Sequence, residues 1–563
     1  MRRAALLIAT GALSVLLTGV EAGAGAGPTV LEALRAVPVQ DGGRVKPLDT
    51  FARESARRIT GARAFGAESV GGLDPVEWVV AAMADPEKWK DAPIVRVGHA
   101  GLRETTGLPA GRDRYSFREL ASHEPFLKAA DAVRSRQEQD GDARLDATES
   151  ETANLYGNLV LLSEIFSAEA VRIVPATDDA SGTWASWGHV AHSDDPATRN
   201  TSRYAAAVLS SYAAGDTQGV AVAATALRAR LAAIAPEAWS PATIDREVHY
   251  NRLKPFRLSW ALYLVAFLVL LASFPLRSPV AGAIGLVVVA AAFAVQTYGM
   301  TLRTLVAGRA PVTNMYETVV FVSWGATLFA LLFEAAYRAR YFAACASGLG
   351  VLFLILADNV PILDGAIEPL VPVLRDNMWL TVHVLTIMLG YAAFFLGVAL
   401  GHVNLGLYFF VPGRRALLRT MSQFLYRSLQ AGTLFLAAGT LLGGVWASYS
   451  WGRFWGWDPK ETWALIALLT YLAVLHGRFL GWIRDFGLAV GALVGGLTVL
   501  MAWYGVNFIL GTGLHSYGFG TGGYAYVGGF VAFEVLVIVA AYWASRRARP
   551  APLGGPALAG AVR

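Results

Sequence analysis

The residues best equipped for chemistry crowd into one short stretch, Trp446-Ala-Ser-Tyr-Ser-Trp451-Gly-Arg-Phe-Trp455-Gly-Trp457-Asp458-Pro459-Lys460-Glu461-Thr462-Trp463. Five tryptophans, one tyrosine and one phenylalanine fall within these eighteen residues, in a chain with sixteen tryptophans. Flat aromatic faces suit a flat, apolar macrocycle, and a loop at a membrane surface is where a lipophilic cofactor with charged propionates would be met. The same composition also fits an aromatic belt at a membrane interface. Asp458, Pro459 and Glu461 have a second reading as the N-cap, N1 and N3 positions of a helix start.

Histidines sharpen the choice. Four of the nine lie beyond residue 257: His383, His402, His476 and His515. Ionisable side chains are expensive in lipid, so those kept inside apolar runs are functional candidates. His383 falls one helical turn past Trp379, ~6 Å along a helix, and His515 lies in the loop Gly511-Thr-Gly513-Leu-His515-Ser-Tyr517-Gly518. Both are expected on the side of the tryptophan loop, and a pair of neutral imidazoles is a means of holding heme iron from its two faces. Taken singly, His515 also reads as a polar loop residue and His383 as an interhelical hydrogen-bonding residue. His476 follows Trp463 by ~20 Å of ideal helix and His402 follows His383 by ~28 Å, so neither serves the same iron. Together they could form an inner site; separately they read as packed histidines or as proton relays of an ion-coupled transporter.

Another polar segment, Gly308-Arg309-Ala-Pro311-Val-Thr313-Asn314-Met315-Tyr316-Glu317, leads into an apolar run. Arg309 could neutralise a propionate, with Glu317 paired to it at the span entrance. Pro311, Thr313 and Asn314 make a turn and helix cap.

These residues must be positioned by membrane helices. The chain is 55 % hydrophobic and 16 % charged, with a mean hydropathy of +0.44, too apolar for a water-soluble globule of 563 residues. Apolar runs near 258–276, 280–300, 316–336, 341–357, 379–411, 425–447, 462–482, 487–510 and 526–543 predict nine spans. With residues before 258 outside, the clusters holding Arg277, Arg338 with Arg340, Arg414 to Arg427, Arg484, and Arg546, Arg547 and Arg549 all fall inside, as the positive-inside rule requires. The arginines lie between apolar runs rather than along one stripe, which sets nucleic acid aside as a partner. Cys345 is the lone cysteine, so any thiol chemistry must use a partner's thiols. Residues 1–26 read as a signal peptide or N-terminal anchor. Residues 27–257 form an exported, mainly helical soluble domain with short strands such as that near Pro93 to Val97, and 546–563 an inner tail. The fold class is thus all-α polytopic membrane protein with an N-terminal exported domain.

Trp451-Gly-x-x-Trp455-x-Trp457-Asp458-Pro-Lys-Glu461-Thr resembles the WWD signature of heme-handling membrane proteins, and its surroundings resemble CcsA of the System II cytochrome c synthase. The Gly308 to Glu317 segment, Trp379-x-x-x-His383, Leu475-His476 and Gly513-Leu-His515-Ser-Tyr517-Gly carry the resemblance across about residues 300–545. It implies helices that move heme b outward beneath the tryptophan loop, and two exterior histidines, His383 and His515, that ligate it. A transmembrane histidine, His476, then belongs to an inner site, and the vinyl groups form thioethers with the CxxCH cysteines of an apocytochrome c. It implies a holocytochrome c synthase of the bacterial inner membrane, a CcsB-like membrane subunit as partner, and a thiol-reducing system. No CcsB-like unit is evident in the chain, so either a separate partner or His402 supplies the second inner histidine; the partner is favoured. The soluble domain, with Val39-Gln-Asp41-Gly-Gly-Arg44-Val-Lys46-Pro47-Leu-Asp49, resembles N-terminal extensions of some long CcsA-like chains. Within heme handling the alternative is an exporter or chaperone without synthase activity.

Overall fold

In a computed structural model the structure describes residues 30–61, 70–140, 145–175, 182–191, 196–360, 363–370, 376–411, 413–515 and 523–547. The expected signal at 1–26, most of the tail, and Ser516 to Gly518 lie outside the described residues. Two bodies with separate apolar cores follow one another along the chain.

The N-terminal body is mainly helical around a small sheet. Strands Pro38–Asp41 and Arg44–Pro47 form an antiparallel hairpin closed by Gly42 and Gly43, whose φ of +57° and +78° are the conformation a two-residue hairpin turn demands. Arg172–Val174 pairs with the first strand, and Ala185–Ser186 completes the sheet. Helices at Leu48–Thr60, Pro75–Ala84, Ala147–Phe166 and Thr217–Ile234 enclose buried Phe51, Trp78, Leu162 and Leu227. The short strand expected near residue 95 is present, Val95–Arg96 paired with Arg114–Tyr115.

Among the described residues nine helices are long and apolar enough to cross a membrane: Pro241–Ser273, Pro279–Ala307, Met315–Tyr337, Tyr341–Asn359, Asn377–Phe410, Arg415–Trp451, Pro459–Phe479, Asp485–Leu510 and Tyr524–Arg546. The chain is therefore a multi-pass membrane protein, with the spans in the predicted order. The fifth span is the hub: 72 % of its apolar window is buried, against 11 % for the ninth, which lies at the rim.

Small residues bring the fifth and sixth spans together. A Cβ on Gly390 would stand 2.9 Å from the backbone of Leu436, and one on Gly439 would strike Ile387 at 2.7 Å. In lipid, where helices gain little from burying apolar surface against each other, such close backbone approach drives association. Two breaks interrupt the α-helical pattern: Leu380–Val384, at the start of the fifth span, winds as a π-turn, and Met501–Leu510, at the end of the eighth, does the same. Wide turns of this kind re-aim side chains and occur often at sites.

The N-terminal body is bolted to one end of the bundle. Arg44, just past the hairpin turn, donates to both carboxylate oxygens of Glu247 at 2.8 and 2.7 Å and to the Ile367 carbonyl at 2.5 Å. From the bundle side, Arg303 reaches the carbonyls of Gly365 and Ala366 at 2.8 and 3.0 Å. The segment 363–370, between the fourth and fifth spans, is thus clasped from both directions. The basic connections gather at the opposite end, where Arg340 meets the Ser278 carbonyl and Arg478 pairs with Asp485.

Candidate functional site

The end of the bundle facing the N-terminal body holds a cavity of about 180 Å³, walled by the entrances of the third, fifth and seventh spans and the exits of the sixth and eighth. His383 and His515 both line it, with Trp446, Trp451, Trp455, Phe454, Tyr391 and Trp503. The two histidines lie within electrostatic reach of each other. The structure therefore brings together the pair expected from sequence, in the aromatic setting expected for them.

Each imidazole is oriented from behind. Nδ1–H of His383 donates to the Gly439 carbonyl at 2.8 Å. One turn further along the sixth span, Gly443 leaves room for the ring, because a Cβ there would sit 2.6 Å from Cε1. Nδ1–H of His515 donates to Asp458 Oδ1 at 2.9 Å. A histidine whose Nδ1 is the donor carries its lone pair on Nε2, which is how metal-binding imidazoles are held. Trp446 stands edge-on to His383, centroids 5.6 Å apart, and Trp451 edge-on to His515 at 5.0 Å.

Asp458 is both a cap and a positioning group. It opens the seventh span by accepting from Lys460 N at 3.0 Å, in a capping box with Glu461. Its other oxygen accepts from Leu514 N at 2.6 Å, so the carboxylate ties the loop carrying His515 to the tryptophan loop. Burial alone would push this carboxyl up, but the His515 hydrogen bond and the two backbone N–H groups outweigh it and hold it at about 2. Gly513 permits the approach: its φ is +96°, and a Cβ would lie 2.4 Å from Asp458 Oδ2.

Glu461 organises the rest of the loop, accepting from Arg453 Nη1 at 2.9 Å and from Gly456 N at 2.8 Å. Trp457 adopts a left-handed φ of +58° and projects away from the protein, 69 % exposed, with its indole edge-on to Trp455. Neither Trp457 nor Trp463 lines the cavity; Trp463 packs against the bundle core instead.

Other sequence candidates fall elsewhere. Arg309 is outside the cavity lining: it donates to the Glu368 carbonyl at 2.5 Å, and partial burial lowers its basicity. The expected Arg309–Glu317 pair is corrected by the structure. Glu317 pairs with Arg303 at 2.6 Å and accepts from Thr313 N and Oγ1, both at 2.7 Å, because Arg303 leaves the second span at the depth where Glu317 enters the third. His402 is at the far half of the fifth span, 3.2 Å from Glu534 of the ninth and stacked on Phe533. His476 is exposed on the seventh span, with its Nδ1 bonded to Leu472 of its own helix.

Several cavity residues escaped the sequence reading: Thr318, Tyr391, Lys460, Trp503 and Asn507. Lys460 had a usable signal, an ionisable side chain at the entry of an apolar span. Among the described residues no cluster of three or more His, Cys, Asp or Glu is arranged to hold a metal ion. A bare ion in this cavity would find two imidazoles, whereas a metallomacrocycle brings its own equatorial ligands and needs only those two.

Comparison with known proteins points to the same part of the chain. A family model described as cytochrome C assembly protein matches residues 312–515, from one wall of the cavity to His515. Protein NrfI of Wolinella succinogenes is 30 % identical over 494 residues, covering 84 % of this chain and 53 % of NrfI, so the chain spans about half the length of that relative. Cytochrome c biogenesis protein CcsA of Synechococcus sp. (strain CC9902) is 34 % identical over 303 residues, covering 47 % of this chain and 98 % of that protein. The CcsA of Prochlorococcus marinus (strain NATL2A) is 36 % identical over 261 residues, 39 % of this chain and 81 % of that one. Among solved structures, a cytochrome c heme lyase CcmF matches with a TM-score of 0.39 and 17 % identity, over 53 % of this chain and 51 % of that one.

Proposed function

Because the chain belongs to the CcsA family of cytochrome c biogenesis proteins, we propose that its cavity holds heme b between His383 and His515 and presents it for attachment to an apocytochrome c. One observation carries the reading: two imidazoles, each with Nδ1–H committed to a fixed acceptor, line the same aromatic cavity. Their Nε2 atoms would hold the iron, and Trp446, Trp451 and Trp455 would wall a flat ring.

In the attachment, each cysteine thiol of a CxxCH segment adds across a vinyl group. Sulfur bonds to one vinyl carbon and the proton goes to the other, so nothing is oxidised or reduced. The protein's part is positioning: holding the iron, shielding the ring and leaving its edge open at the cavity mouth. The thiols come from the partner, since Cys345 is buried in the fourth span, and a thiol-reducing system keeps them reduced. The end bearing the cavity and the N-terminal body faces the periplasm of a bacterial inner membrane, the side opposite the arginine-rich connections. His476, exposed on the bundle surface, is available to an inner heme site completed by a CcsB-like subunit.

The test is expression of the full chain with a CxxCH reporter in cells lacking other attachment machinery. We expect a purified protein with a low-spin Soret spectrum and a covalently pigmented reporter. His383→Ala and His515→Ala should each lose both, with exogenous imidazole restoring part. A colourless wild-type protein refutes heme binding. A pigmented protein with an unpigmented reporter leaves heme handling and refutes attachment.

A further inference from the structure

The cavity wall contains one lysine or arginine, Lys460, and one acid, Glu461. Glu461 is committed to Arg453 and to the N–H groups of Gly456 and Asp458. Asp458, the next acid along the chain, spends its oxygens on Leu514, His515 and the backbone of Lys460. Among the described residues the Lys460 ammonium makes no ion pair; its hydrogen bond is a long one, 3.4 Å, to the Trp503 carbonyl. Asn507 Nδ2 donates to that same carbonyl at 3.2 Å, so the two side chains meet at one corner of the cavity. Asn507 is 9 % exposed, and it is through Nδ2, an NH2 donor, that it faces this corner. A cation with so weak a partner beside aromatic walls is costly unless an anionic ligand completes it.

We propose that Lys460 and Asn507 form an anion subsite that grips a carboxylate of the ligand and so fixes which edge of the ring faces the cavity mouth. The inference rests on the heme-binding reading above and adds the orientation of the ring to it. The Lys460 ammonium supplies charge and Asn507 a second N–H, while Arg303 and Arg309 are turned away into the carbonyls of residues 365–368 and Arg453 is paired with Glu461. A carboxylate on an otherwise apolar ring matches one charged corner in an otherwise apolar wall.

Full-length protein made in heme-deficient cells, solubilised in detergent, is titrated with hemin and with hemin dimethyl ester, whose carboxylates are masked. The wild type is expected to bind hemin about tenfold or more tighter than the ester, the scale of one charge-assisted hydrogen bond. Lys460→Met and Asn507→Leu should each shrink that ratio towards one by weakening hemin and sparing the ester, while Lys460→Arg keeps it. Equal affinity of the wild type for both, or an undiminished ratio in Lys460→Met and Asn507→Leu with a low-spin Soret band, overturns the subsite and leaves the heme site standing. Absence of a Soret band with either porphyrin overturns both. If Lys460→Met does not fold, Asn507→Leu and Lys460→Arg decide, since one leaves the charge in place and the other restores it.

Discussion

Under the proposed heme-binding role, replacing Asp458 by Asn should weaken the grip of His515 on iron while preserving the shape of the loop. The wild-type carboxylate serves three donors, Lys460 N, Leu514 N and His515 Nδ1. An amide has one oxygen, so its NH2 must face either Leu514 N–H or the Lys460 and His515 side. Facing His515, it would force the imidazole to carry its proton on Nε2, the atom that must bind. A carboxyl held at about 2 rather than 3.8 is favoured in its charged form by about 2 kcal/mol, shared among its three donors, which caps the loss on neutralising it at about thirtyfold. That lies within the 10–100-fold range usual for groups behind a metal-bound histidine. The sign follows from the depressed carboxyl: its contribution is complete above about pH 4 and fades as pH falls towards about 2. The assay is the low-spin Soret signature and hemin affinity of wild type and Asp458→Asn between pH 3 and 8. We expect the variant to bind hemin between about tenfold and about thirtyfold more weakly at pH 7, with the difference closing below about pH 4. An Asp458→Asn protein with wild-type affinity and spectrum at pH 7 would refute the argument.

Gly443→Ala should displace the His383 ring, since the new methyl would meet Cε1 at 2.6 Å; the expected result is a shift from low-spin to high-spin absorption in a protein that still elutes as a folded species. Glu317→Gln strips the charge partner from buried Arg303 and should lower stability by about 3–5 kcal/mol, read as an earlier thermal unfolding in detergent. Arg44→Ala removes the clasp on Ile367 and Glu247; we expect faster proteolytic cleavage within 363–370 with little change in the unfolding temperature of the bundle. His402→Ala, at the far half of the fifth span, should leave the Soret spectrum of the His383–His515 site unchanged.

The apolar rhythm carried most of the membrane fold, because twenty-residue greasy runs have few other destinations. Its blind spot was the sixth helix, which begins at Arg415 rather than near 425: Arg415, Arg419 and Arg427 hide a continuous helix from a hydropathy scale. The His383–His515 pairing was legible because both flank spans entering from one end. Arg309 was given the role beside Glu317 and Arg303 was not considered, because adjacency in sequence stands in poorly for depth along two antiparallel helices. Lys460 and Asn507 were missed for different reasons. The first was absorbed into a helix-cap reading, and the second sits on a π-turn whose register no 3.6-residue pattern anticipates.

The imidazole at 383 belongs to the fifth helix and its counterpart to the loop after the eighth. A ribosome delivers the first well before the second, so under the proposed role a half-made bundle would offer iron a single handhold. Colour in a cell would then report only finished chains, and a translation arrest between the two would yield an inserted but pale product.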